Sequence, residues 1–232
     1  MTQQSWPSDL GPVICVVGAR PNFMKMGPIL RAFAAHQPPL PTLLVHTGQH
    51  YDKDMNDQLF EDLGLPKPDI NLEVGSGTHA VQTAEVMRRF EPVIDTHRPS
   101  CVLVVGDVNS TLACSLVAVK KGVPSVHVEA GLRSFDRGMP EEINRILTDQ
   151  IADRLYTTER TAADNLAREG ILGERVAFVG NVMIDSLLFH RSRAQAPGET
   201  VAAAGISPEI VSRPEGYAVV TLHRPSNVDS AA

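Results

Sequence analysis

The 232-residue sequence predicts an α/β fold built on a doubly wound parallel sheet. Two patterns carry that reading: short segments that are apolar from end to end rather than alternating, and helical segments that separate them. Length adds a third observation. At roughly 100–200 residues per domain the chain is long for one domain and short for two, so one whole domain and part of another are expected.

The elements follow in order. Val13–Val17 is a β-branched apolar run that stops at Gly18, and a helical pattern runs from Asn22 to about His36. The unit recurs with a strand at Thr42–His46 and a helix near Asp54–Leu63, then a strand at Cys101–Val105 with a helix over Asn109–Lys121, then a strand at Ser125–Val128. A longer helix, about His79–His97, places Val81, Ala84 and Met87 at i, i+3 and i+6. After Pro140, the positions Ile143, Ile146, Leu147 and Ile151 follow i, i+3, i+4 and i+8, an amphipathic helix. Arg154–Thr158 and Arg175–Val179 are two further strands with helices after each, for about seven strands in all.

From about Ser192 the sequence mixes Pro, Gly, Ser and Ala without a sustained apolar period, which predicts linker or a weakly ordered helix. Tyr217–Leu222 then opens a fresh strand. The expected organisation is a first domain over residues 12–191, a linker over 192–216 and the start of a truncated second domain at 217–232.

Composition narrows the function classes. Hydrophobic residues at 43% and charged residues at 21% are ordinary globular usage. With 27 acidic against 21 basic side chains, net charge −6 and no Lys/Arg run, a nucleic-acid partner is disfavoured. Met1–Leu10 lacks the basic and apolar regions of a signal peptide. No apolar stretch approaches the ~20 residues that span a bilayer, so a cytoplasmic protein without membrane insertion is expected. Cys15, Cys101 and Cys114 lie inside apolar patterns without C-x-x-C spacing, as small buried hydrophobes rather than metal or disulfide sites.

Ligands of open parallel sheets bind at the carboxyl ends of the strands, and those ends hold the candidate chemistry. The first is Gly18-Ala19-Arg20-Pro21-Asn22-Phe23-Met24-Lys25, which is not G-x-G-x-x-G, and His46 rather than an acid ends the next strand. A nicotinamide dinucleotide is therefore not expected. Arg20 and Lys25 are either solvated charges or a site for phosphate at a helix start. His46 and His50 with Asp52 have weak metal-ligand character, because Gly48 between the histidines argues against a helical face. Asp107, directly after an apolar strand, either caps the next helix or reaches the crevice. Glu129 is a carboxylate after a buried strand, costly unless paired or used, and Arg133 is its structural partner if it is only paired. Pro140-Glu141-Glu142 suits a helix start, and the helical wheel puts Glu141 on the side of Arg145 as an exposed ion pair. Three carboxylates with nearby cations suit a reaction at an anomeric carbon, where carboxylates move a proton and cations hold a departing phosphate.

Taken in order, Gly18-Ala-Arg-Pro-x3-Lys25, Gly106-Asp107, His127-Val-Glu-Ala-Gly-Leu-Arg133, Pro140-Glu-Glu-x-Asn-Arg145, Gly180-Asn181 and Thr221-Leu-His-Arg224 resemble the non-hydrolysing UDP-N-acetylglucosamine 2-epimerases. The resemblance runs from about residue 12 to residue 229. It implies the first half of a glycosyltransferase-B-like fold of two Rossmann-like domains, with the active site in the cleft between them. It further implies interconversion of UDP-N-acetylglucosamine and UDP-N-acetylmannosamine by elimination of UDP to a 2-acetamidoglucal and readdition.

By motif, the resemblance makes Asp107, Glu129 and Glu141 catalytic carboxylates and His223 a catalytic or UDP-contacting histidine of the second domain. Arg20, Lys25, Arg133 and Arg224 become substrate-binding residues. No cofactor and no metal are implied, and the full-length form is expected to be a homodimer. Family members continue well beyond His223, so this chain alone is expected to be inactive. Asn22-Phe23-Met24 stands where many members have Glu-Ala-Ile, which marks a subgroup or a modified sugar. The segments Gln49-His50-Tyr51-Asp52 and Gly75-Ser76-Gly77 lack side chains that hold an activating second substrate in some members, so substrate activation is not implied. The alternatives are a 2-epimerase for a related UDP-diacetamido-uronic acid, a glycosyltransferase of the same architecture, and a non-catalytic nucleotide-sugar-binding fragment.

Overall fold

A computed structural model describes residues 10–48, 60 and 63–222. Its strands are β1 (Val13–Val17), β2 (Thr42–His46), β3 (Ile70–Asn71), β4 (Cys101–Val105), β5 (Ser125–Val128), β6 (Arg154–Thr157) and β7 (Val176–Phe178). They form one sheet in the order β3-β2-β1-β4-β5-β6-β7, with every pairing parallel. The helices are α1 (Arg20–Ala35), α2 (His79–His97), α3 (Asn109–Lys120), α4 (Pro140–Ile151), α5 (Arg160–Arg168), α6 (Val182–His190) and α7 (Pro197–Ala203). The two-residue strand β3 was not placed from the sequence. The helix expected near Asp54–Leu63 falls largely outside the described residues.

The apolar strands are explained by burial on both faces. Ile14, Val16, Val45, Val102 and Val104 point to one side, where Val86 and Phe90 of α2 and Cys114 and Val117 of α3 cover them. Val13, Cys15, Val17, Leu44, Leu103 and Val105 point to the other, against Phe23, Met26 and Leu30 of α1. With both faces covered, β1 and β4 are apolar at every position. Each such side chain contributes about 1.5–3 kcal/mol on burial. The strand order reverses direction between β1 and β4, and the crevice at their carboxyl ends is where such a sheet takes ligands.

Two helices bury a face other than the one their apolar spacing marks. In α4 the buried residues are Glu142, Asn144, Thr148 and Asp149, while Leu147 of the apolar stripe is 46% exposed. In α2 the buried positions are Gln82, Val86, Phe90, Val93 and Ile94, and Val81 is 57% exposed. The polar side chains of α4 turn inward because the strand ends beneath it offer hydrogen-bonding groups that need partners.

The chain divides into two compact units, Met1–Phe189 and His190–Ala232. In the second, α7 and a 3-10 turn over Pro208–Ser212 bury no residue. The strand expected at Tyr217–Leu222 is not formed, and Val219 and Val220 lie largely exposed. A strand requires a ladder partner, and the described residues of that unit supply none. No helix among the described residues is long and apolar enough to cross a membrane.

Candidate active site

The β1–α1 loop begins at Gly18, where a Cβ would lie 2.4 Å from the Ser110 hydroxyl of α3. Glycine lets the loop settle onto that helix start. Asn22, almost fully buried, then fastens the loop. Its Oδ1 accepts from the N–H groups of Ala19 and Gly18 at 3.0 and 3.2 Å, and its Nδ2 donates to the Val105 carbonyl at 2.9 Å. Sequence reasoning noted Asn22 only as a departure from a family pattern; its polarity inside an apolar helix start was the available signal.

With the loop fixed to β4, Lys25 reaches across Gly106 to form an ion pair with Glu129. Gly106 has φ +70°, and a Cβ there would lie 3.0 Å from the Lys25 Nζ and 3.6 Å from a Glu129 carboxylate oxygen. Glu129 itself has φ 73°, a left-handed conformation that costs a non-glycine residue about 1–3 kcal/mol. The side chains of Lys25 and Glu129 are 11% and 20% exposed, so the pair is partly desolvated yet open to the crevice. Glu129 is thus paired with Lys25 and not with Arg133.

Asp107 does not cap α3. Val108 occupies the cap position without a side-chain bond, and the Asp107 carboxylate instead accepts from Arg145 at 2.5 Å. Arg145 also donates to Glu142 at 2.9 and 3.1 Å. The expected Glu141–Arg145 pair is therefore replaced by Glu142–Arg145, because Glu142 lies one turn from Arg145 on the buried face of α4. Burial would raise the Glu142 carboxyl, but the Ser134 N–H, the Arg145 guanidinium and the Phe135 N–H together hold it below the ordinary range. Glu141 lines a cavity of about 320 Å³ with Asp107, His79, Gln82, Asn109 and Asn144. Inside it Asn109 donates to Gln82 at 2.7 Å, and Asn144 donates to the Asp107 carbonyl at 2.9 Å.

Beneath these groups lies a chain of hydrogen-bonded side chains centred on the buried His127 and Asp149. His127 Nδ1 is 2.7 Å from an Asp149 oxygen, and its Nε2 donates to the Gly106 carbonyl at 2.8 Å. The second Asp149 oxygen accepts from the Gly131 N–H at 3.0 Å and pairs with Arg133 at 2.8 Å. Burial would raise Asp149, but the charges and hydrogen bonds of His127 and Arg133 hold it low. Arg133 also makes two bonds to Glu169, at 2.6 and 2.7 Å, and its side chain is 1% exposed. Arg133, expected to bind substrate, is here bonded to Asp149, Glu169 and the Leu132 carbonyl.

Arg20 is exposed at the start of α1. His46 is buried against the rings of Phe23 and Phe60. Its proposed companions His50 and Asp52 lie outside the described residues, as do His223 and Arg224. No group of three or more metal-binding side chains gathers among the described residues.

Fold and site together define a doubly wound, Rossmann-like α/β domain that presents carboxylates and cations at its topological switch point. Residues 33–232 match the family model described as UDP-N-acetylglucosamine 2-epimerase, and the chain belongs to that family. It is 44% identical over 219 residues to a UDP-2,3-diacetamido-2,3-dideoxy-D-glucuronate 2-epimerase of Pseudomonas aeruginosa, covering 94% of this chain and 58% of the relative. It is 43% identical over 215 residues to a UDP-N-acetylglucosamine 2-epimerase of Methanocaldococcus jannaschii, covering 93% of this chain and 57% of the relative. The crystal structure of a Methanocaldococcus jannaschii UDP-GlcNAc 2-epimerase in complex with UDP-GlcNAc and UDP superposes with a TM-score of 0.77 at 40% identity, covering 83% of this chain and 53% of that one. The chain thus spans little more than half the length of these relatives.

Proposed function

We propose that the protein is a nucleotide-sugar 2-epimerase interconverting UDP-N-acetylglucosamine and UDP-N-acetylmannosamine by elimination and readdition of UDP. The observation that carries the proposal is the Lys25–Glu129 pair held in a left-handed backbone beside the Asp107–Arg145 pair. The hydrogen on carbon 2 of the sugar is barely acidic. As the bond from carbon 1 to the UDP oxygen breaks, positive charge builds at carbon 1, and a carboxylate then takes the carbon 2 proton. The C–H electron pair becomes the carbon 1–carbon 2 double bond, and UDP leaves with the pair of the broken bond. Return of a proton to the opposite face, with readdition of UDP at carbon 1, completes the exchange.

Asp107, Glu129 and Glu141 are the acid–base groups of this scheme. Arg20 and Lys25 stabilise the departing diphosphate, with His223 and Arg224 completing the site. Residues 12–191 make the first domain of the two-domain enzyme and 217–232 open its second.

The test is solvent isotope incorporation in a chain extended to the relatives' length. In D2O, the product and recovered substrate should carry deuterium at carbon 2. Product formed with protium retained there refutes elimination.

A second reading differs only in the sugar. The 44% identity to an enzyme named for a diacetamido-glucuronate supports a substrate bearing a carboxylate and a second acetamido group. Product analysis on both UDP sugars decides between them.

The same proposal includes a homodimer in the cytoplasm. Support for the dimer comes from the stripes that α2 and α4 leave exposed: Ala84, Met87 and Ile143 line one groove of about 560 Å³, an apolar surface of the sort that associates. Leu147→Glu should convert a dimer into a monomer in light scattering, and an unchanged mass excludes this face. The three free thiols suit a reducing compartment, and cell fractionation tests that placement.

A further inference from the structure

The proposed chemistry uses Asp107 and Glu129, which stand on different strand ends, and neither explains why a carboxylate with no exposed atom lies below them. Asp149, on the inward face of α4, is that carboxylate. One oxygen meets His127 Nδ1 at 2.7 Å, and the opposite ring nitrogen of that imidazole donates to the carbonyl of Gly106, the residue before Asp107. The other oxygen accepts from the N–H of Gly131, two residues after Glu129. Glu129 holds φ 73° and Gly131 φ 79°, so the segment between them cannot relax into an ordinary extended turn without losing this bond. The N–H groups of Glu129 and Ala130 both lean on one acceptor, the Tyr156 carbonyl, at 3.0 and 3.1 Å. The far side of the loop is held by Asp149, through the Gly131 N–H, and by Asn165, whose Nδ2 donates to the Gly131 carbonyl at 3.0 Å.

We propose that Asp149 is a positioning residue that sets the separation of the two catalytic carboxylates, holding the Asp107 loop through His127 and the Glu129 loop through Gly131. The kinetic part of this inference rests on the epimerase reading above; the structural part does not. Both carboxylate oxygens are required, one for each loop. Asparagine at this position has a single acceptor oxygen in place of two, so it cannot reproduce both contacts. A displacement of about 1 Å at a reacting group is enough to cost on the order of 100-fold in rate.

Two measurements on Asp149→Asn test the inference. Hydrogen exchange on the 232-residue chain should show rates raised tenfold or more at Gly131 and raised exchange over 106–108 and 129–131, with β1 and α1 unchanged. Equal rates in variant and wild type, or rates raised throughout the sheet, would overturn it. In the extended chain, kcat should fall by on the order of 100-fold with KM within about twofold. Glu169→Gln serves as the comparison: it weakens Arg133 alone, so it should lower the melting temperature and leave kcat unchanged. A fall in kcat as large for Glu169→Gln as for Asp149→Asn would reduce Asp149 to general stabilisation and overturn the proposal. An inactive wild-type extended chain would remove the epimerase reading, and the exchange experiment would still decide whether Asp149 couples the two loops.

Discussion

The ammonium of Lys25 and the carboxylate of Glu129 form an ion pair across the backbone of Gly106, joining the helix after β1 to the end of β5 over the intervening strand β4. Glu129→Gln should remove nearly all turnover in the extended chain, a loss of roughly 100-fold or more for a lost acid–base group, while the circular dichroism spectrum stays that of the wild type. Lys25→Met leaves the carboxylate without its cation and should destabilise by about 1–3 kcal/mol in denaturant melts. An unchanged rate for the first variant would discredit the site.

Gly106 is the narrow point of that bridge. Gly106→Ala brings a methyl group to 3.0 Å from the Lys25 Nζ in a backbone at φ +70°, so it must either push the pair apart or leave the left-handed region. The expected cost is about 1–3 kcal/mol. Activity should fall more than for an alanine at Gly122, which has φ +72° and open space around it.

Acid sensitivity should begin with His46. Burial pushes its imidazole down to about 4 from the ordinary 6.5. Between those values the unfolded chain binds a proton that the folded one does not, so stability falls as pH drops through 6.5 and stops falling from this source below about 4. The full effect is about 3 kcal/mol at most. Melting curves from pH 7 to pH 4 should show this slope, and His46→Gln should flatten it; an unaltered slope refutes the assignment.

Glu142 gives a second acid step with the depressed-carboxylate sign. Its contribution is complete above the unfolded value of 4.5 and is lost as pH falls through the lower folded value. Glu142→Gln should therefore destabilise at pH 7 and converge with wild type at low pH. It should also free Arg145, whose other bond is to Asp107, so an activity loss is expected alongside the stability loss. Denaturant midpoints at two pH values check the first, and turnover of the extended chain checks the second.

Much of the fold was legible because both faces of this sheet are covered. Strands such as Val13–Val17 and Cys101–Val105 had to be apolar throughout, and their boundaries match those read from sequence. The two-residue β3 was not legible, since Ile70–Asn71 carries no pattern of its own. The Tyr217–Leu222 segment carried a strand pattern but has no ladder partner among the described residues. At the candidate site, Asp107, Glu129, Glu141 and Lys25 are singled out by their places at strand and helix ends. Asn22, Glu142 and Asp149 were passed over because a polar residue in a helix is ordinarily a solvated one.

The sequence by itself determined the α/β class, the strand ends and the residue types that stand on them, because periodicity and chain order are properties of local segments. Only the tertiary structure decided the pairings: Lys25 rather than Arg133 for Glu129, Glu142 rather than Glu141 for Arg145, and Arg133 for the buried Asp149. Those choices depend on which face of α4 turns toward the strand ends. That face was set by carbonyls, N–H groups and charges on β4 and β5 that had to be satisfied in the interior, a constraint that outweighed the exposure of Leu147 on the apolar stripe.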